Sequence, residues 1–259
     1  MTDKNLLASL VSGSAIPVKR HGLSGLVSSG GNGGFTPNSI SDLWAWFKCE
    51  SDFLTLSGDS IMVWNPQDED TDKQLISDTT GVAPDFADYN SRGIAQFDGT
   101  EVMHTNDDSH TITQPMTFAI ALKFPTAVNY STIFDVDDTS GGRIVHRNYQ
   151  TSDKLLQIAN SANYESSDEG VISATWGTEI IVANGTSTKW RINGIDVAPG
   201  GIDVSDNFNP LTIGSDYRAL AGGSLNMVGD FMHFIIYDKA LDDDEIVELE
   251  EWLANEVGL

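Results

Sequence analysis

Gly229-Asp230-Phe231-Met232-His233-Phe234-Ile235-Ile236-Tyr237-Asp238-Lys239-Ala240-Leu241-Asp242-Asp243-Asp244-Glu245-Ile246 decides the fold. Residues 230–237 are rich in aromatic and β-branched side chains, which reads as a strand. The period then changes. Leu241 precedes three Asp and a Glu, and Ile246, Leu249, Leu253 and Val257 recur at helical spacing. An Asp at the cap, acids in the first turn and Gly258 at the end are the start and stop signals of one helix. The chain therefore closes with a core strand, a turn and a capped helix.

Upstream, strand signals follow one another from Phe35 onward. They fall at residues 43–47, 60–64, 94–97, 116–124, 131–136, 143–147, 155–159, 179–183, 188–192 and 211–213. The connections carry turn chemistry: Asn65-Pro66, Asp98-Gly99, Gly141-Gly142, Asn193-Gly194 and Gly222-Gly223. Residues 188–192 before Asn193-Gly194 read as a hairpin arm with a type I′ turn. Apolar and polar residues alternate in several runs, as in sheets with one wet face.

The composition agrees. The chain has 259 residues and a formal charge of −24, with 38 acids against 14 Lys plus Arg. Asp accounts for 27 of the acids, and Asp favours turns and caps over helix interiors. So acidic a body repels phosphate backbones, which argues against nucleic-acid binding. One cysteine, Cys49, allows no internal disulfide and no thiolate zinc cluster, and its apolar setting marks it as a buried thiol. No stretch reaches the roughly 18 apolar residues of a membrane helix.

Residues 1–34 differ from the rest. They carry Lys4, Lys19 and Arg20 against Asp3, a net +2 that leaves −26 on residues 35–259. The segment ends in the flexible composition Ser28-Ser29-Gly30-Gly31-Asn32-Gly33-Gly34. Its apolar patches, with Leu6, Leu7, Leu10 and Val11 in the first, are too short to make a core. The expected division is an N-terminal arm and linker over 1–34 and a β-sandwich over 35–259. In this reading the arm orders against a neighbouring subunit through those four residues together with Lys19 and Arg20. The run 6–11 is shorter than the roughly 7–15 residues of a signal h-region, so synthesis in a cytoplasm without a cleaved signal is expected.

Ser41-Asp42-Leu43-Trp44-Ala45-Trp46-Phe47, Val63-Trp64-Asn65 and Ala95-Gln96-Phe97-Asp98-Gly99-Thr100, with a long strand following and the closing segment quoted above, resemble a concanavalin A-like lectin/glucanase domain of the laminin-G-like type. The resemblance covers about residues 41–259. It implies an all-β fold: a two-sheet antiparallel jelly-roll sandwich with a C-terminal helix. It also implies ligands on the concave sheet or in loops at one edge. Members of the family include lectins, glycan-binding modules, glucanases, adhesion domains and parts of phage virions.

Retaining glycoside hydrolysis needs two carboxyls about 5 Å apart, which on one strand means acids two or four residues apart. The glucanase-type members carry such a Glu-x-Asp-x-x-Glu motif, and this chain has none. Glu248, Glu250 and Glu251 cluster on the helix, where an exposed acid face is the ordinary explanation. His104 and His110 flank Asp107-Asp108 in what reads as a polar loop, and His233 reads as a satisfied sheet histidine. Asp135-Val136-Asp137-Asp138 opens like an EF-hand loop, but Ser140 stands where Gly is needed and His146 where Glu is needed. A looser calcium loop on Asp135, Asp137 and Asp138 is the single cofactor expectation, because the resemblance implies edge-loop calcium. The acidic run 68–72 is a second cluster, and a solvated loop is the competing reading of both. Tyr89, Tyr130, Tyr149, Tyr164 and Tyr217 stand near predicted loops as sugar-stacking candidates, with no choice among them.

The expectation is thus a non-enzyme: a virion structural protein of a tailed phage (capsid decoration, fibre or tail accessory subunit). The arm 1–34 would contact other virion subunits, and a lectin-like body would face host glycans, in a homo-oligomer. An exported carbohydrate-binding or adhesion module is the alternative, and a glycoside hydrolase is third.

Overall fold

The computed structural model describes residues 34–77, 85–89, 92–105, 114–123, 132–137, 143–149, 153–160, 163–165, 176–197, 211–215 and 226–259. Phe35–Leu259 is one unit. The expected arm residues Leu6, Leu7, Leu10, Val11, Lys19 and Arg20 lie outside the described residues. In chain order the strands are β1 (Leu43–Lys48), β2 (Leu54–Ser57), β3 (Ser60–Trp64), β4 (Leu75–Ile76), β5 (Asp85–Tyr89) and β6 (Arg92–Asp98). Then come β7 (Met103–Thr105), β8 (Met116–Lys123), β9 (Thr132–Asp137), β10 (Arg143–Tyr149), β11 (Asp153–Asn160) and β12 (Asn163–Glu165). β13 (Trp176–Ala183), β14 (Lys189–Ile192), β15 (Ile195–Val197), β16 (Leu211–Ile213), β17 (Val228–Tyr237) and the helix α1 (Asp243–Val257) complete the unit.

The strands form two antiparallel sheets. In the first, β17 pairs with β8 on one side. On its other side it pairs with β1 over its C-terminal half and with β6 over its N-terminal half. The sheet continues through β13, β14 and β15 beyond β8, and through β5 beyond β6. The second sheet runs in the order β2-β3-β4-β7-β16-β9-β10-β11-β12. A bridge between Ser60 and Asp85 joins the sheets at an edge.

Local chemistry explains the elements that the sequence marks most clearly. Asp242 caps α1 by accepting from Asp244 N at 3.0 Å and Glu245 N at 2.9 Å, and Glu245 Oε2 accepts from Asp242 N at 3.1 Å. This reciprocal box satisfies amides that the first turn leaves open. Gly258 ends the helix at φ 75°, a conformation that favours glycine. Asn193 and Gly194 turn β14 into β15 at φ 49° and 76°, as a type I′ turn requires.

Two apolar layers hold the unit together. Phe118, Phe134 and Phe234 meet between the sheets, with ring centroids 4.7 Å and 5.4 Å apart, beside fully buried Trp64 and Trp190. On the opposite face of the first sheet, Ile246, Leu249, Leu253 and Val257 of α1 pack with Ala119, Ala121, Ile180, Val182 and Ile235. β8 sends Met116, Phe118, Ile120 and Leu122 into the inter-sheet core and its intervening alanines toward the helix. A register shift between Phe231 and His233 lets β17 serve both layers. The expectation of one wet face therefore fails for the central strands of this sheet: β13 is buried at every position because α1 covers its outer side. β6 keeps the alternation, with Gln96 and Asp98 exposed and Ala95 and Phe97 buried.

Candidate functional site

The second sheet turns its other face away from the core. Trp64, Leu75, Met103, Ile213, Phe134 and Val136 point inward, so their strand neighbours point outward. Cross-strand register then aligns Thr55, Val63, Ile76, His104, Thr212 and Asp135 in one row across β2, β3, β4, β7, β16 and β9. Thr55 is exposed, Val63, Ile76 and His104 are half-buried, and Thr212 and Asp135 are fully buried. The row thus passes from an open apolar step into a closed polar end. Neighbouring strands lie about 4.8 Å apart, which puts the His104 and Asp135 backbones about 10 Å apart with Thr212 between them.

The polar end is held in place. The His104 Nδ1 lies 2.9 Å from the Thr105 carbonyl oxygen. A carbonyl only accepts, so Nδ1 is the donor in this contact. The Thr212 hydroxyl is buried without a hydrogen-bond partner among the described residues, and an unmet buried hydroxyl costs about 1–3 kcal/mol. Beneath it, Gly214 N donates to Ile133 O at 2.9 Å and Met227 N donates to Gly214 O at 2.7 Å, which fixes the end of β16. Asp135 is the single carboxylate of the row. A hydrolytic pair needs two, at about 5–5.5 Å or about 6.5–9.5 Å.

Asp135 belongs to β9, in register with Val145 of β10, and is buried rather than set in a loop. Asp137 closes β9 opposite Arg143, and Asp138 lies outside the described residues. Of the stretch that opens like an EF-hand, residues 135–137 belong to β9, which pairs with β10, and residues 138–142 lie outside the described residues. No cluster of three metal-ligating side chains occurs among the described residues. In the second acidic run, Lys73 Nζ sits 3.0 Å from Asp68 and 3.2 Å from Asp70, over the Trp44 ring at 5.6 Å. That cluster carries its own counter-ion, and Asp70 also caps the short turn at Thr71–Lys73.

Several residues lie elsewhere than the sequence implied. His104 is in a strand, and His110 lies outside the described residues. Of the tyrosines, Tyr89, Tyr149 and Tyr164 fall within β5, β10 and β12, while Tyr130 and Tyr217 lie outside the described residues. Glu248 and Glu251 are exposed, but Glu250 is 8% exposed and takes Arg191 on both oxygens, at 2.8 Å and 3.0 Å. Burial pushes the Glu250 carboxyl up, and Arg191 pulls it down without cancelling that rise. Burial likewise raises the Cys49 thiol, which suits an inert core residue. His233 is satisfied by Trp46 and Glu256.

The His104–Thr212–Asp135 row was missed because its members are 31 and 77 residues apart in sequence. One local signal does exist: a polar residue between apolar ones, in Leu211-Thr212-Ile213 and Phe134-Asp135-Val136. Among the described side chains every Lys and Arg is in an ion pair: Lys48, Lys73, Arg92, Lys123, Lys189, Arg191 and Lys239.

No family model matches the chain, and no curated protein matches it. Solved structures do share its fold. Domain 4 of a GH43 extracellular arabinanase from Geobacillus stearothermophilus, solved with arabinotriose, superposes with a TM-score of 0.62 at 13% identity, over 81% of this chain and 98% of that domain. Trypanosoma rangeli sialidase gives 0.58 at 9% identity over 84% of this chain, which spans 33% of the sialidase. The botulinum neurotoxin type G receptor binding domain gives 0.55 at 12% identity over 83% of this chain, which spans 52% of that domain. The shared architecture is the β-sandwich that the sequence implied.

Proposed function

We propose that the domain is a non-catalytic carbohydrate-binding module whose site is the outer row of the second sheet. The observation that carries the reading is the accessible part of that row, the half-buried apolar step of Val63 and Ile76 between exposed Thr55 and half-buried His104, backed at its closed end by buried Thr212 and Asp135. A flat apolar patch next to a few convergent hydrogen-bonding groups is what a sugar ring with its hydroxyls requires. The ligand class is a neutral oligosaccharide, because each described cation is already spent on a carboxylate. The arabinotriose-bound neighbour, matched over 98% of its length, supports the same reading. The test is a glycan array with and without calcium, followed by titration of the best neutral ligand against Val63→Asp and His104→Ala. Binding that falls at least about tenfold in each variant, near 1.4 kcal/mol, supports the site. Unchanged binding in both, or release of reducing ends from any glycan, overturns it.

A second reading concerns where the module works. The +2 charge of residues 1–34 against −26 on the remainder favours an arm that anchors the body in a larger assembly. A tailed-phage virion is the proposed setting, with the body projecting toward host glycans. A chain beginning at Gly34 is expected to fold and bind glycan yet fail to incorporate into particles. Incorporation at normal occupancy refutes the arm.

A further inference from the structure

α1 is held to the first sheet in two ways. Its N-terminal half is fixed by Lys189 to Asp243, Lys239 to Glu245 and Arg191 to Glu250, below the Asp242 cap. Its C-terminal half rests on His233 of β17, 3% exposed. His233 Nε2 donates to Glu256 Oε2 at 3.3 Å, and Nδ1 accepts from Trp46 Nε1 at 3.4 Å. An indole N–H only donates, so this contact requires Nδ1 to stay unprotonated. The Trp252 ring lies 4.9 Å from the imidazole and 5.3 Å from Trp46, closing the cluster from the helix side. The charged groups around it are Glu256 from α1, Arg92 from β6, Lys48 opposite His233 in β1, and Glu50 just beyond β1. Arg92 holds Glu256 at 2.7 Å, and the Lys48 ammonium sits 5.2 Å over the Trp46 ring.

We infer that protonation of His233 releases the C-terminal half of α1, making this end of the helix an acid-sensitive latch. This inference is independent of the glycan site. The added proton has one place to go, Nδ1, where the new N–H faces the Trp46 N–H across a contact that supplies no acceptor. One ring must turn away. Turning the imidazole breaks the bond to Glu256, and turning the indole opens the contact with Trp252. Burial opposes the imidazolium, Glu256 favours it and Arg92 disfavours it, with burial dominant, so the latch stays closed at neutral pH. The groups that fix the other half of α1 are Lys and Arg pairs, which keep their cations throughout. Release is therefore confined to one end. It uncovers the apolar face of Leu253 and Val257 and the Met232 and Ile235 surface beneath it.

The experiment is hydrogen exchange by mass spectrometry on the full chain at about pH 7 and about pH 5, a window in which His is the side chain that ordinarily titrates, with rates corrected for intrinsic exchange. Protection over residues 252–257 is expected to fall roughly tenfold, while residues 242–250 change less than about twofold. His233→Gln, neutral at both pH values with one donor and one acceptor, is expected to keep its protection at acid pH. Trp46→Phe, which removes the opposing N–H but leaves the imidazole buried, is expected to shrink the acid-dependent loss of protection to the part that burial alone imposes. Equal loss over both halves of α1 in the native chain, no loss at all, or the same loss in both variants overturns the inference.

Discussion

Replacing Gly214 with alanine tests the packing that supports the proposed binding row. Gly214 has φ 83°, and a Cβ built there lies 2.5 Å and 2.6 Å from two carbons of the Phe97 ring and 3.2 Å from the Glu101 carbonyl oxygen. Phe97 has no room to retreat: it is 2% exposed and packs edge-on against Phe231 at 5.5 Å. The left-handed backbone costs an alanine about 1–2 kcal/mol. Overpacking a closed core adds about 1–3 kcal/mol. The sum, about 2–5 kcal/mol, is a large share of a typical total of about 5–15 kcal/mol. Urea denaturation followed by tryptophan fluorescence reads it directly. With a slope of about 1–3 kcal/mol/M, the midpoint should fall by about 1 M or more. Phe97→Leu in the Gly214→Ala background should recover part of the loss, with a coupling of about 0.5–3 kcal/mol between the two sites. A midpoint within about 0.2 M of the native protein at an unchanged slope, or strict additivity in the double variant, would show that this packing is not under strain.

Glu250→Ala should cost about 2–3 kcal/mol in the same assay, because it strips the half-buried Arg191 guanidinium of two charge-assisted bonds. Glu248→Ala and Glu251→Ala, exposed on the same helix, should stay within about 0.5 kcal/mol. Stability should also depend on pH through His233. Burial lowers its folded pKa, so its contribution is whole above the unfolded value of about 6.5 and is lost as pH falls through the folded one. Glu101 and Glu250 act oppositely. Burial raises both, so their contributions are present below the unfolded value and fade as pH rises through the folded one. The difference between native protein and His233→Gln across about pH 7 to 5 isolates the histidine, and parallel curves for the two would remove its role.

Much of the fold was legible because its signals are local. Asp242, Glu245 and Gly258 cap α1 within a span of 17 residues, and Asn193-Gly194 builds its turn from two. β3 and β16 appear at the residues their β-branched and aromatic content marks. The shortest strand was not legible. Leu75–Ile76 carries too few residues for a period, and it is a strand because it pairs between β3 and β7. The burial of Glu250 was hidden too, since helical spacing places it beside exposed acids and only β14 supplies its arginine.

Local patterns alone specify an acidic β-sandwich closed by a capped helix. Periodicity, turn residues and caps act over a few neighbouring positions and need no knowledge of the rest of the chain. Which polar residues share a face, and which share a cluster, follows from the folded arrangement. His104, Thr212 and Asp135 meet through strand register across loops of any length, and Trp46, His233 and Glu256 meet through the docking of α1. Register and docking are set by the two apolar layers closing at once, a cooperative condition that no short stretch of sequence contains.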